Sequence, residues 1–122
     1  MKHAPNIAKY IFAAFLILGG INHFYKPELY SPFIPSIFPE NMVNYGSGIL
    51  EIILGLGLLI KRHQKNAAIG CVLLMLIFLP IHIWDALKDT PVIGSKIAAN
   101  IRIIVQFIFI AWPYYIYKKS II

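Results

Sequence analysis

The stretch 45–60, YGSGILEIILGLGLLI, decides how this chain has to be read. It is apolar and punctuated by glycine. As a helix it covers most of a bilayer's hydrocarbon layer, because about 20 residues at a rise of ~1.5 Å each cross ~30 Å. One carboxylate, Glu51, lies inside it. An acid near the centre of a membrane helix costs roughly 2.5–3.5 kcal/mol on insertion scales, so it must be paired, neutral or turned toward a polar cavity. The rest of the chain is expected to supply its partners.

Outside this stretch the composition points the same way. Hydrophobic residues make up 59% of the 122 and charged residues only 13%, and the mean hydropathy is +0.73. A soluble domain carries about 25% charged residues. The apolar mass falls into four long runs, at about 5–24, 43–60, 67–87 and 97–117. The expected fold is therefore all-α: a single domain over 1–122, an integral membrane four-helix bundle. The formal charge of +6 comes from basic residues lying mostly in short segments between and beyond the runs. Membrane orientation explains that placement better than nucleic acid does. Cys71 is the sole cysteine, so an internal disulfide, a CxxC redox pair and a cysteine metal cluster are all excluded.

The first run has the basic start and apolar centre of a signal peptide, but no A-x-A-like cleavage site follows, and it is expected to stay as a span. The connection at 25–42 contains Pro27, Pro32, Pro35 and Pro39, which forbid a long helix there. Its Tyr25, Leu29, Tyr30, Phe33, Ile34, Ile37 and Phe38 suit either a headgroup-level anchor or a cover over the bundle mouth. The basic knot KRHQK at 61–65 makes the second and third spans antiparallel neighbours. Pro80 is expected to kink the third span. Trp112, Tyr114, Tyr115 and Tyr117 ahead of Lys118 and Lys119 read as an interface anchor.

Lysine and arginine counts set an orientation. Lys2 and Lys9 precede or open the first span, three basic residues fill 61–65, and two close the chain. In the other two connections Lys26 is offset by Glu28 and Glu40, and Lys88 and Lys96 by Asp85 and Asp89. The positive-inside rule then places both termini in the cytoplasm, with His3 and His63 solvated there.

With the spans so placed, the intramembrane polar residues gather in the outer half. Asn22 and His23 close span one, Glu51 lies roughly 12 Å into span two, His82 and Asp85 approach the end of span three, and Arg102 and Gln106 lie roughly 8 and 14 Å into span four. Ser47, Glu51 and Gly55 share a face, as do Gly19 and His23, His82 and Asp85, and Arg102 and Gln106. The expectation is a polar pocket in which Arg102 is the counter-ion of Glu51. Asp85 is left to orient a histidine or to pair with Lys88. The same residues also suit a purely structural role, because hydrogen bonds between membrane helices hold bundles together at ~0.6 kcal/mol each. Asn22, Asn100 and Gln106 fit that role best. No E-x-x-H pair or other ligand spacing is present, so no metal is expected. Ser47 lacks the surroundings that would activate it as a nucleophile.

The order GGINHFYKPELY (19–30), IPSIFPE (34–40), the 45–60 stretch, FLPIHIWDAL (78–87) and NIRIIVQFIFIAW (100–112) resembles the DoxX/DoxD-like family of small four-span membrane proteins along nearly the whole chain. The positions that carry the resemblance are Gly20, His23, Phe24 and Pro27, Gly48 and Glu51, Pro80 and His82, and Arg102 and Gln106. Family members resemble the membrane subunit of a thiosulfate:quinone oxidoreductase, partners in membrane redox-defence complexes and, more distantly, a receptor-assembly chaperone. The resemblance implies an accessory protein of a bacterial inner membrane. It would have no intrinsic cofactor, would hold a quinone or lipid, and would join a membrane or extracytoplasmic redox partner as a non-catalytic subunit. Two other classes stay open: an assembly or scaffold protein, whose helix faces also allow self-association, and a small proton-coupled exporter.

Overall fold

The computed structural model describes residues 4–119, so the expectations for Lys2 and His3 lie outside the described residues. Four helices account for most of the chain: α1 (Ala4–Tyr25), α2 (Glu40–Leu59), α3 (Gln64–Ala86) and α4 (Lys96–Lys119). All four are long and apolar enough to cross a membrane by length and composition. Among the described residues there is no strand. Large side chains on the outer faces, such as Leu18, Ile77 and Ile104, are 68%, 64% and 62% exposed, which fits a surface meant for lipid rather than water.

Each helix packs mainly on its chain neighbour or on the far end of the chain. α1 lies closest along α2 and α3 along α4, while the α2–α3 and α1–α4 contacts close the ring. The α1–α2 seam explains the glycines. On α2 the buried positions are Asn44, Gly48, Glu51, Gly55 and Leu58, and around its glycines α1 brings up Ala13, Ile17, Gly20, His23 and Phe24. The α2 series steps by alternating fours and threes, the heptad spacing that keeps one narrow stripe on a single partner. A Cβ on Gly20 would sit 2.6 Å from the Gly48 carbonyl oxygen, and one on Gly48 would sit 2.9 Å from that of Gly20. The backbones therefore touch there, as small residues allow in membrane bundles.

Toward the chain termini the interior is apolar. Phe12, Leu16, Leu58, Ala68, Cys71, Met75 and Ile116 form one cluster, with Cys71 a buried filler. The rings of Phe12, Phe109 and Trp112 pack edge-to-face and tilted at its α1–α4 edge, and Trp112 Nε1 donates to the Ala8 carbonyl at 3.0 Å. Lys9 reaches across to Gln64 Oε1 at 3.1 Å. α3 runs on through Pro80 and α4 through Pro113 without a break in the helix.

The proline-rich connection forms two single turns of 3-10 helix, Pro27–Leu29 and Ser31–Phe33, each closed by a backbone hydrogen bond to its first residue. The aromatic and aliphatic residues of this segment divide between two directions. Tyr30, Phe33 and Ile34 turn inward, whereas Leu29, Ile37 and Phe38 stay 53%, 84% and 50% exposed. In the α3–α4 connection, Gly94 supplies the one positive φ among the described residues, at 125°, a conformation that L side chains avoid.

Candidate functional site

Between the helices, at the end carrying the 26–39 and 87–95 connections, lies a cavity of about 290 Å³. Its apolar wall is Phe15 from α1, Met75, Phe78 and Ile81 from α3, and Val105 and Phe109 from α4. Tyr30, Phe33 and Ile34 of the connection also line it. The polar lining is His23, Asn44, Ser47, Glu51, His82, Arg102 and Gln106.

His23 is the hub of the polar side. Its Nε2 lies 2.8 Å from Glu51 Oε2, and its Nδ1 lies 2.7 Å from Asn44 Oδ1. Asn44 Nδ2 in turn donates to the Pro27 carbonyl at 2.9 Å, and the Tyr30 ring stacks on the imidazole with centroids 3.8 Å apart. Asn22 Nδ2 donates to the Tyr30 hydroxyl at 2.8 Å, steadying that ring. The His23 and Glu51 side chains are each only 10% exposed.

These bonds fix where the protons are. A carbonyl only accepts, so the Asn44 group facing Pro27 must be the amide nitrogen, and the group facing His23 must be the oxygen. Nδ1 of His23 therefore carries a hydrogen. The contact between Nε2 and the Glu51 carboxyl then holds one shared proton: imidazolium beside carboxylate, or neutral imidazole beside carboxylic acid. In both forms the pair is electrically neutral. The problem posed by an acid in a membrane helix is solved on the spot.

This corrects the expected partner of Glu51. Among the described residues Arg102 makes no ion pair, and its guanidinium instead lies 4.3 Å from the centroid of the Phe33 ring. Two features of the fold account for the change. In this ring α2 and α4 stand on opposite sides, whereas the Gly20–Gly48 contact brings α1 against α2. A Cβ on Gly19 would sit 2.9 Å from Glu51 Oε1, so the carboxylate occupies space that this glycine leaves open, one turn from His23. Because α2 begins at Glu40, Glu51 also lies deeper than expected, about 16 Å from the helix start, against about 9 Å for Arg102 in α4.

Two further expected pocket residues lie elsewhere. Asp85 is buried, but its carboxylate accepts from the Val92 and Ile93 amides at 2.8 and 3.4 Å and lies 3.8 Å from Lys88 Nζ. It pins the α3–α4 connection, and of its two expected roles it takes the pairing with Lys88. Asn22 acts on Tyr30 from behind the cavity wall. Gln106 lines the cavity while its Nε2 is spent on the Met75 carbonyl at 2.7 Å, a tie between α4 and α3. His82 lines the cavity too, with Nδ1 enclosed and without a hydrogen-bond partner among the described residues. Such an orphan costs about 1–3 kcal/mol.

Asn44 and Tyr30 are the residues that sequence reasoning missed as parts of the site. The signal for Asn44 was its place on the heptad stripe, one turn before Gly48 and two before Glu51. For Tyr30 the signal was its place among the aromatics expected to anchor or cover the bundle mouth, but only the folded turn at Pro27–Leu29 brings it over His23.

The fold and cavity define a class: a helical bundle with four membrane-length helices and, at one end, a largely apolar cavity that carries a few polar side chains. Within it, the chain belongs to the family described as a domain of unknown function (DUF8561), whose family model matches residues 12–117. No curated protein and no solved structure matches the chain.

Proposed function

We propose that this is an accessory membrane protein of the DoxX type that holds a small amphipathic molecule, a quinone or lipid, in the cavity, as a non-catalytic member of a membrane redox complex. Both termini face the cytoplasm of a bacterial inner membrane, and the cavity lies in the outer half. The observation that carries the reading is the cavity itself: about 290 Å³ of space with a mostly aromatic and aliphatic lining, among which each of the four helices contributes an ionisable side chain, His23, Glu51, His82 and Arg102. That lining suits a molecule with a polar head and an apolar body. Ionisable residues at membrane depth are functional candidates in their own right.

The test is to purify the chain in mild detergent and identify extractable amphiphiles by mass spectrometry, beside a Val105→Trp variant that fills the cavity. A defined amphiphile retained by the parent chain and lost from the folded variant is expected. No retained molecule, or equal retention by both, would overturn the reading. A stoichiometric protein partner without a small molecule would favour the scaffold class instead. The orientation is checked separately by cysteine labelling from each side at 61–65 and 87–95.

A further inference from the structure

The charge count inside the cavity narrows the ligand. Its ionisable lining is His23, Tyr30, Glu51, His82 and Arg102. The proton shared between His23 and Glu51 leaves that pair neutral, Tyr30 is neutral, and His82 can only add positive charge. Asp85, the nearest acid on α3, is outside the lining and is already held by two backbone amides and Lys88. Arg102 therefore leaves the cavity lining with a net positive charge, which Asp85 offsets only from outside the lining and without an ion pair to the guanidinium. The Phe33 ring beside it stabilises a cation but does not neutralise it. Guanidinium offers five N–H donors in a fork matched to carboxylate or phosphate, and among the described residues none of them is spent on a protein acceptor. An unbalanced cation at this depth calls for an anion.

We infer that the cavity binds an anionic amphiphile, with its carboxylate or phosphate on Arg102 and its hydrocarbon against Phe15, Phe78 and Phe109. The inference rests on the amphiphile reading above and selects within it: an acidic lipid or fatty acid rather than a neutral quinone. The neutrality of the His23–Glu51 pair carries the argument, because a free Glu51 carboxylate would itself have been the counter-ion.

The test compares probes on the full chain in nanodiscs of zwitterionic phosphatidylcholine. Binding of dodecanoate, dodecyl phosphate, dodecanol, a decyl-substituted benzoquinone and acetate is measured by thermophoresis at pH 8, with affinities expressed per mole fraction in the bilayer. Dodecanoate and dodecyl phosphate are expected to bind at least tenfold tighter than dodecanol and the quinone, and acetate weakly. Arg102→Gln should remove the advantage of the anions over dodecanol, and Arg102→Lys should keep part of it. Equal binding of anions and alcohol by the parent chain would overturn the inference, even if Arg102→Gln failed to fold. So would an anion preference that survives in Arg102→Gln. Acetate binding as tightly as dodecanoate would replace the amphiphile with a small anion. If dodecanol or the quinone binds well and the anions gain nothing, the amphiphile reading stands and only the charge assignment fails. If no amphiphile binds at all, both fail.

Discussion

Replacing His23 and replacing Glu51 are expected to have very different costs, although the two residues are partners. In Glu51→Gln the amide nitrogen can donate to His23 Nε2, while Nδ1 keeps its hydrogen bond to Asn44 Oδ1. A neutral pair replaces a neutral pair, and the loss should stay below about 1 kcal/mol, the scale of one ordinary hydrogen bond. In His23→Leu, by contrast, the Glu51 carboxylate and Asn44 Oδ1 both lose their partner, in a site where the pair was 10% exposed. Stranding a buried charge costs about 3–5 kcal/mol. The double variant His23→Leu with Glu51→Gln should recover much of that loss, because the stranded charge has gone. Arg102→Gln should cost no more than about 1 kcal/mol, the scale of a cation–π contact, since no ion pair is broken. Equilibrium unfolding by dodecyl sulfate titration in mixed micelles, followed through the fluorescence of Trp84 and Trp112, ranks the variants. The reasoning is refuted if Glu51→Gln proves as costly as His23→Leu. It is equally refuted if Arg102→Gln is the most destabilising of the set, which would restore Arg102 as the counter-ion.

Three other outcomes follow from the packing. Gly48→Ala places a methyl group 2.9 Å from the Gly20 carbonyl oxygen, backbone that cannot rotate away, and should cost about 1–3 kcal/mol in the same titration. Gly46→Ala, with nothing within 4 Å of the new carbon, is the control and should change stability by less than about 0.5 kcal/mol. Asp85→Ala leaves the Val92 and Ile93 amides without their acceptor; hydrogen exchange at those two amides should rise sharply, and unchanged exchange would remove Asp85 from its role in the connection. Gln106→Leu gives up one interhelical hydrogen bond to Met75 and should cost only about 0.6 kcal/mol, the average for such bonds in a membrane bundle. A loss above about 2 kcal/mol would mean that Gln106 holds more than this tie.

By itself the sequence determined the helices and where their polar residues fall along them. Hydropathy needs only chain order, and apolar runs near the bilayer's thickness leave helix as the one way to satisfy the backbone. Depth follows from the fixed rise per residue, which is why His23, Glu51, His82, Arg102 and Gln106 were expected in one part of the bundle and line one cavity. Partnership is another matter, because it depends on which helices touch and how each is rotated. Depth made Arg102 look like the counter-ion of Glu51, but α2 and α4 stand across the ring from each other, and the Gly20–Gly48 contact hands Glu51 to His23. The same is true of Asp85, drawn out of the cavity by two amides of the loop that follows it, and of Tyr30, folded back over His23 by a single 3-10 turn. Helix and depth are encoded locally, while charge pairing is settled across the bundle, where two glycines without side chains decide which ionisable groups meet.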